Sequence, residues 1–547
     1  MKIALAQLNY QIENFEENFK KIEKAIEKAK NEKADLIVFS ELAVCGYYPF
    51  DLLEKQDFIK NCQNYLFKIN EVAKKIAVII GLPFENNKNI YNSAAFFTGE
   101  KNFHIINKTF LSNYDIFNEA CYFEANNKFY TIDYKDIKFA ITIGDDIIET
   151  HNFYNSFKKK QFYKVSPLDE LIKLKPDICI NISANPFSYN FAEKKRNNLI
   201  EKSKKYSLPI VYVNQIGANA DLIFDGGSFV LNNNGEVVKE CKSFEEDFQI
   251  FNFEKNSRKK EILICNTKNN RIENIYNALV LGIRDFFIKN KFKKALLGLS
   301  GGIDSAVTLA IAIEAIGAKN VMSILMPTKF SSDHSISDSL EMVKRTNSPH
   351  EIINIEQIRL HFLDCLAEIF TGKEENITEE NIQARIRGTI LMAYSNKFGN
   401  ILLNTSNKSE FAVGYSTLYG DMNGSLSVLG DVYKTDVYNL AKYININKNN
   451  IIPLNIITKI PSAELRPNQT DQDSLPPYDI LDKILYSYIE ENLSKTEITY
   501  FDKDTVDKVI KLVKNSEFKR FQAAPILRVS SKAFGNGRKF PIIAINN

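Results

Sequence analysis

The segment GLSGGIDSA, Gly298 to Ala306, constrains the fold of this chain more than any other part of its sequence. The apolar run KALLGL precedes it, and the helix-forming run SAVTLAIAIEAI follows it and ends before Gly317. A second strand-like run, NVMSILMP, comes next, so the order is strand, helix, strand. Two strands joined by one helix lie parallel, with a right-handed crossover. This half of the chain is therefore predicted to form a doubly wound α/β fold around a parallel sheet.

The glycine-rich loop between this strand and helix is suited to binding phosphate. Glycine lets the backbone approach phosphate oxygens closely, and free N–H groups at a helix start carry partial positive charge. Asp304 is placed to hold Mg²⁺, and Ser300 and Ser305 to hydrogen-bond phosphate. The loop is not a Walker A motif, because no Lys-Ser/Thr pair follows the glycines. A turn needed only for tight packing is the alternative, but the complete strand–loop–helix pattern favours phosphate binding.

The pattern S-G-G-x-D-S resembles that of the PP-loop ATP pyrophosphatases, which release pyrophosphate from ATP. Four further motifs lie downstream: TEENIQARIRGTILMAYSNKFG (378–399), LLNTSNKSEFAVGYSTLYGDMNG (402–424), PSAELRPNQTDQDSLPPYDILD (461–482) and KRFQAAPILRVSSKAFGNGRKFP (519–541). Together they are similar to those of the NAD synthetases, over residues 276–541. The resemblance implies ATP-dependent amidation of deamido-NAD through an adenylated intermediate, with Mg²⁺ neutralising the pyrophosphate that leaves.

The resemblance also implies roles for individual residues. Asp304 and Glu410 match the family's metal ligands, and Asn381, Glu410 and Lys519 match its contacts to deamido-NAD. The residues that match its ATP site are Gly298, Leu299, Ser300, Gly301, Gly302, Ile303, Asp304, Ser305, Thr405 and, through the more distant short ammonia-using forms, Lys434. Taken alone, each polar residue would be interpreted as a helix cap or a solvated side chain. Ser406 stands where the family usually has glycine, which is expected to crowd the nucleotide loop slightly.

The first half of the chain also alternates short apolar runs with helical patterns. FSELAVCGYYPFDLL places Glu41 at the end of such a run, and NKTFLSNYDIFNEACYFE supplies Lys108, Tyr114 and Glu119. With VYVNQIG and FDGGSFVLN, these segments resemble the nitrilase-like carbon–nitrogen hydrolase domain of glutamine-dependent NAD synthetases. The resemblance implies an αββα sandwich over residues 1–255, a linker over 256–275 and a synthetase domain over 276–547.

In that family a Glu base, a Lys and a Cys nucleophile hydrolyse glutamine, and the ammonia passes to the synthetase domain. Glu41 and Lys108 match the first two residues, but in KFAITIGDDIIET the aligned position of the cysteine is Gly144. Glycine has no side chain, so it forms neither a thiolate nor an acyl-enzyme. Other positions that contact glutamine or flank Lys108 in the family also differ: they are Ser112, Cys121, Asn185, Phe191 and Ala192.

Three cysteines are candidates for a substitute nucleophile: Cys45, Cys121 and Cys179. Each fits a small buried or loop residue better, because structural cysteines are usually inert. We therefore expect an inactive glutaminase, with Glu41 and Lys108 as remnants, and a synthetase that uses free ammonia. The alternative is continued glutamine dependence, through an unrecognised nucleophile or a partner amidase. A third possibility is that the first half is a noncatalytic binding or assembly module.

The amino-acid composition restricts the cellular compartment and the kinds of binding partner that are expected. Lys and Arg exceed Asp and Glu by only three charges, which argues against a nucleic-acid partner. No apolar run approaches the roughly 18 residues of a membrane helix, and Glu13 and Glu16 interrupt any signal-peptide pattern. Seven scattered cysteines indicate a reducing, cytoplasmic setting. A homo-oligomer, dimer or higher, is expected, because nitrilase-like domains commonly self-associate and NAD synthetase sites commonly lie at dimer interfaces.

Overall fold

The computed structural model describes residues 1–99, 103–148, 165–255 and 270–543. The chain divides into two compact units, Met1–Asn269 and Asn270–Asn547. Both units combine helices with sheets, so the predicted α/β class is confirmed. Most of the predicted linker, residues 256–269, lies outside the described residues, and a helix that begins at Arg271 occupies its end.

The first unit is built on two six-stranded sheets. Its strands are β1 (Lys2–Gln7), β2 (Leu36–Val38), β3 (Ala77–Asn86), β4 (Asn89–Phe97), β5 (Phe103–Asn107), β6 (Ile132–Tyr134), β7 (Ile137–Ile143), β8 (Ile178–Ser183), β9 (Ile210–Asn214), β10 (Ile216–Asn219), β11 (Leu222–Asp225), β12 (Phe229–Leu231), β13 (Val237–Glu240) and β14 (Asp247–Asn252). One sheet has the order β14-β1-β2-β3-β4-β5 and the other β13-β12-β9-β8-β7-β6, while β10 and β11 form a separate hairpin. The helices are α1 (Phe15–Asn31), α2 (Gln56–Val72), α3 (Pro167–Lys173) and α4 (Ala192–Tyr206).

The two sheets pack face to face, with helices on the outer faces. Successive side chains of a strand point to opposite faces, so Ile3 and Leu5 of β1 join a core shared with β7, β8 and β9. Ala4 and Ala6 instead pack in the cluster that contains α1 and α2, and the outer face of the second sheet packs against α3 and α4. This four-layer arrangement is the predicted αββα sandwich.

Helix α1 shows how the sequence pattern produces this packing. Apolar residues at helical spacing form its inner face: Ile22 and Ile26 are fully buried and Phe15 nearly so, with Phe19 packed at the edge. Asn14 caps the helix by accepting a hydrogen bond from the Glu17 N–H. β12 and β13 pair antiparallel as a hairpin on either side of Asn234 and Gly235, a dipeptide that favours such turns.

The second unit contains a five-stranded sheet in which every pairing is parallel. Its strands are β15 (Ala295–Gly298), β16 (Val321–Leu325), β17 (His350–Ile352), β18 (Ile401–Asn404) and β19 (Leu426–Ser427), in the order β17-β16-β15-β18-β19. The helices are α5 (Arg271–Lys289), α6 (Ile303–Ile316), α7 (Asp333–Thr346), α8 (Glu356–Leu366), α9 (Ile377–Phe398), α10 (Lys408–Val413), α11 (Lys434–Asn447), α12 (Leu454–Thr458), α13 (Tyr478–Leu485), α14 (Lys503–Asn515) and α15 (Glu517–Arg520).

The predicted strand–loop–helix–strand segment is confirmed as β15, α6 and β16. The chain continues from β15 to β16 on one side, and β18 adds on the other side, so the strand order reverses at β15. Such a reversal leaves a crevice at the carboxyl ends of the strands, where open α/β sheets bind ligands. Within the described residues, no helix is both long enough and apolar enough to cross a bilayer.

Candidate functional site

The loop between β15 and α6 is held in one shape by its own serines and by α7. The Gly302 N–H donates to Ser300 Oγ at 3.2 Å, and Ser305 Oγ donates to the Gly302 carbonyl at 3.0 Å. Gly301 has φ +77°, and a Cβ built there would lie 2.8 Å from the Cα of Ser335 in α7. A side chain at Gly301 would therefore be excluded twice, by backbone conformation and by the neighbouring helix.

A cavity of about 300 Å³ opens beside this loop, at the carboxyl ends of the strands. The predicted residues that line it are Gly298, Leu299, Ser300, Gly302, Ile303, Asp304, Ser305, Thr405, Glu410 and Lys434. Gly301, Asn381 and Lys519 were also predicted and do not line it. Ser406 does line it, but its Oγ donates to the Asp421 carbonyl at 3.3 Å.

Three charged side chains converge at one point of the cavity. Lys434 Nζ lies 2.5 Å from Asp304 Oδ2 and 3.3 Å from Glu410 Oε1. Burial alone would lower the pKa of Lys434, but the two carboxylates outweigh it and raise that pKa above its usual range. Burial raises the pKa of Glu410 to about 8, with Lys434 opposing the rise and Asp304 adding to it. The cluster therefore holds a buried cation between two carboxylates at the start of α6.

A capping box at Asn407 places Glu410 in this cluster. Asn407 Oδ1 accepts from the Glu410 N–H at 3.0 Å, and the Glu410 carboxylate accepts from the Asn407 N–H at 3.4 Å. Asn407 Nδ2 also donates to Asp304 Oδ1 at 2.9 Å. Asn407 was not among the predicted site residues, although the spacing Asn-x-x-Glu in NTSNKSE is the signal of such a cap.

Two charged or polar residues predicted for deamido-NAD meet on a different segment. Asn381 Oδ1 accepts from Thr417 Oγ1 at 2.7 Å, while Lys519 Nζ donates to the carbonyls of Gly414 and Ser416 at 2.8 and 2.7 Å. Asn381 belongs to α9 and Lys519 to α15, so residues far apart in the sequence converge on the turn after α10. The structure thus brings Asn381 and Lys519 together there rather than in the cavity wall.

The carboxylates of Asp304 and Glu410 suit a hard cation that takes its remaining ligands from phosphate. In the parts of the chain that the structure describes, no group of three or more His, Cys, Asp or Glu side chains is arranged to hold a metal. Mg²⁺ commonly uses only one or two protein carboxylates and takes its other ligands from substrate phosphates and water. Asp304 and Glu410 already share one cation, the Lys434 ammonium, so this pair fits such a site.

The first unit contains a second buried charged cluster, at Lys108. Lys108 Nζ donates to Glu41 Oε1 at 2.8 Å and to Glu119 Oε1 at 2.9 Å, and none of the three side chains is more than 2% exposed. The carboxylates of Glu119 and Glu41 raise the pKa of Lys108 well above its usual range against the opposing effect of burial. Burial raises the pKa of Glu119 to about 7. Glu119 was not among the predicted site residues, although it lies in the same motif as Lys108, NKTFLSNYDIFNEACYFE.

Gly144 lies directly against this cluster. It follows β7 and opens a 3₁₀ turn with φ +53°. A Cβ built on Gly144 would lie 2.7 Å from Lys108 Nζ and 3.0 Å from Glu41 Oε2. The lysine ammonium therefore occupies the space into which a side chain at this position would extend.

The two acidic residues after Gly144 are tied to the loop that carries Lys108. Asp145 Oδ2 accepts from Tyr114 OH at 2.6 Å and from Ser112 Oγ at 2.7 Å. Asp146 accepts from the backbone N–H of Thr109 and Phe110, and burial raises its pKa to about 7. These contacts hold the turn in place without a side chain at its first residue.

The candidate substitute nucleophiles have ordinary structural surroundings. Cys45 is fully buried, with Sγ 3.4 Å from the Gly46 carbonyl, while Cys121 is exposed. Cys179 lies on β8 opposite Ala140 of β7, and burial raises its pKa to about 12. A thiol with such a pKa carries almost no thiolate near neutral pH, so Cys179 is poorly suited to nucleophilic attack.

Comparison with known proteins covers nearly the whole chain. Residues 275–523 match the NAD synthase family, and residues 2–157 match the carbon-nitrogen hydrolase family. A glutamine-dependent NAD(+) synthetase from Synechocystis sp. is 41% identical over 556 residues, which cover 99% of this chain and 98% of the relative. The chain belongs to the NAD(+) synthetase family. It has the long form of that family, with a nitrilase-like unit before the synthetase unit.

Two further relatives support the same assignment. A glutamine-dependent NAD(+) synthetase from Acinetobacter baylyi is 41% identical over 546 residues, covering 99% of this chain and 98% of the relative. The solved structure of a glutamine-dependent NAD+ synthetase from Acinetobacter baumannii, in complex with adenosine diphosphate, has a TM-score of 0.79 and 39% identity. It covers 99% of this chain and 98% of that chain.

Membership of the family establishes part of the predicted activity. The chain is an NAD synthase, a ligase that consumes ATP, as the sequence analysis expected. The relatives are named glutamine-dependent. On that point they favour the alternative of the sequence analysis, glutamine dependence, over free ammonia.

Proposed function

We propose that the second unit amidates deamido-NAD to NAD in the cavity at Asp304, and that free ammonia supplies the nitrogen. The convergence of Asp304, Glu410 and Lys434 at the start of α6, beside the glycine-rich loop, supports the ligase assignment. The contacts around Gly144 support the choice of nitrogen donor.

The reaction takes place in two displacements. In the first, a nicotinate carboxylate oxygen forms a bond to the α-phosphorus of ATP, and the bond from that phosphorus to the β-phosphate oxygen breaks. In the second, the ammonia nitrogen forms a bond to the acyl carbon, the bond from that carbon to the phosphate oxygen breaks, and AMP leaves while the nitrogen loses a proton. Activation is needed because a free carboxylate has no good leaving group.

The residues of the cavity are suited to the charges that these steps create. N–H groups of the loop at Ser300–Ser305 would bind phosphate oxygens, and Lys434 would neutralise part of the charge on the departing pyrophosphate. Asp304 and Glu410 would hold Mg²⁺, which supplies Lewis-acid neutralisation of the pyrophosphate when bound. Thr405 lines the same cavity and would contact ATP. Asn381 and Lys519, which contact the turn after α10, would position deamido-NAD beside that turn.

Free ammonia is proposed because Gly144 leaves the Lys108 cluster without a nucleophile. Amide hydrolysis by this kind of site requires an atom that attacks the substrate carbonyl and forms an acyl-enzyme. Glu41 and Lys108 remain in place, but their charges satisfy each other and Glu119. Glutamine dependence stays as the second candidate, since the relatives named glutamine-dependent favour it.

Nitrogen-donor assays separate the two candidates. We expect purified protein with deamido-NAD, ATP and Mg²⁺ to form NAD when ammonium is supplied. With ammonia-free glutamine, the rate should fall to that of the blank, and no glutamate should be released. Release of one glutamate per NAD would overturn the ammonia proposal, and the single changes Cys45→Ser, Cys121→Ser and Cys179→Ser would then locate the nucleophile.

Restoring the cysteine is expected not to restore a glutaminase. Gly144→Cys places a Cβ 2.7 Å from Lys108 Nζ in a left-handed conformation, so the lysine must shift away from Glu41 or Glu119. The Asn185 and Phe191 positions also lack the family's glutamine contacts. We expect glutamate release by this variant to stay at the blank level, with Gly144→Ala as the steric control. Glutamine-dependent NAD formation by Gly144→Cys alone would show that the pocket is otherwise intact.

A further inference from the structure

Arg387 is a cation of the cavity that the predicted site does not use. It lies on α9, lines the cavity, and its Nε donates to the Met326 carbonyl at 3.1 Å. Among the residues that the structure describes, no carboxylate forms an ion pair with it. Burial lowers the pKa of Arg387 to about 10, and Asp421 and Glu464 only partly offset that effect. Its guanidinium is thus partly removed from water without a protein counter-ion.

The other cations of the cavity are already paired. Lys434 lies against Asp304 and Glu410, and Lys459 Nζ lies 2.6 Å from Glu464 Oε1. Five carboxylates line the wall: Asp304, Glu410, Asp421, Glu464 and Asp471. Three cations line it as well: Arg387, Lys434 and Lys459. Carboxylates outnumber cations in the wall, so Arg387 is the protein cation that stays available to pair with a polyphosphate beside the proposed Mg²⁺.

The position of Arg387 brings it beside the glycine-rich loop. Arg387 shares one face of α9 with Leu391, and both line the cavity. A Cβ built on Gly298, where the loop begins, would lie 3.3 Å from Leu391 Cδ1 and 3.5 Å from Met326 Cε. Arg387 Nε is bound to the carbonyl of Met326, which directly follows β16, the neighbour of the strand that leads into the loop.

We propose that Arg387 binds the phosphates of ATP and of the pyrophosphate product through its two terminal nitrogens. Arginine presents a planar fork that matches two phosphate oxygens at once, and its charge replaces the counter-ion that the protein does not supply. The Nε bond to Met326 fixes the plane of that fork before substrate arrives. This assignment rests on the proposal that the cavity is the ATP site.

Steady-state kinetics of three variants test it, at saturating ammonium and with Mg²⁺ in excess of ATP. The variants are Arg387→Gln, Arg387→Lys and the control Lys397→Gln, an exposed lysine on the same helix. We expect Arg387→Gln to raise KM for ATP about ten- to hundredfold and to weaken inhibition by inorganic pyrophosphate by a similar factor. Its KM for deamido-NAD should change less than twofold, and Arg387→Lys should be intermediate because it keeps charge but loses the fork.

Two results would overturn the assignment: an unchanged KM for ATP, or a rise confined to the KM for deamido-NAD. Thermal unfolding should show the same midpoint for Arg387→Gln as for Lys397→Gln. If Arg387→Gln does not fold, Arg387→Lys decides the matter, because a KM for ATP equal to wild type would exclude a bidentate role. Activity of Asp304→Asn separates this inference from the site itself: if that variant is fully active, the cavity is not the ATP site.

Discussion

Replacing Asp304 with Asn should reduce kcat/KM for ATP by about a thousandfold, roughly 4 kcal/mol of transition-state stabilisation. The change removes a carboxylate from the proposed Mg²⁺ site and leaves Lys434 with Glu410 alone. The size and shape of the side chain are nearly conserved, so the loss would reflect charge rather than packing. NAD formation at saturating ammonium, with ATP and Mg²⁺ varied independently, measures the effect.

A matched control for this change lies on the same helix. Glu314 is exposed near the end of α6 and pairs only at the surface with Lys448, so Glu314→Gln should leave the rate within about twofold of wild type. Added Mg²⁺ should recover part of the Asp304→Asn activity by mass action, since Glu410 remains. Activity of Asp304→Asn within tenfold of wild type would contradict the proposed metal role.

Replacing Lys108 with Ala should lower the free energy of unfolding of the first unit by about 3–5 kcal/mol. The change leaves Glu41 and Glu119 buried against each other without their shared cation. The loss should be larger at pH 8 than at pH 5. Lys108 opposes the rise that burial causes in the pKa of Glu119, so removing the cation raises that folded-state pKa further. Stability contributed by a raised carboxyl pKa is present at low pH and lost as the pH rises through that pKa.

Urea unfolding followed by hydrogen exchange of amides in the first unit measures this effect. Lys20→Ala, which removes an exposed pair with Glu17, should change stability by less than about 1 kcal/mol. Adding Glu119→Gln to Lys108→Ala should recover part of the loss, because one of the two unpaired charges is then removed. A loss below about 1 kcal/mol for Lys108→Ala would show that water or a rearranged partner replaces the ammonium.

Continuous motifs explain how much of the site could be predicted from the sequence. Gly298–Ser305 is one strand, loop and helix start, so its local pattern determines both its shape and its place at the sheet edge. Gly144 could be recognised for the same reason, since its place at the end of β7 follows from the apolar run before it. In these segments, residues that are adjacent in the sequence determine both the local backbone shape and the position at the edge of the sheet.

Residues that act through tertiary contacts could not be placed in this way. Arg385 and Arg387 are two positions apart on α9, and only the packing of that helix brings Arg387 to the cavity wall while leaving Arg385 exposed. Asn381 and Lys519 meet on a turn that belongs to neither of their helices. Asn92, whose Nδ2 donates to Glu41 Oε1 at 2.7 Å, reaches the Lys108 cluster through the pairing of β3, β4 and β5.

The close approach of Gly301 to Ser335 leaves almost no free space between the glycine-rich loop and α7. Ser335 Oγ also donates to Glu464 Oε1 at 2.8 Å, and Glu464 belongs to residues 459–465, a segment that lines the cavity. Ser332, at the start of the same helix, donates to the same carboxylate oxygen at 3.0 Å. Loop, helix and cavity wall are therefore linked in series, and the loop that we propose to bind phosphate is positioned by a helix that is itself bonded to another part of the wall.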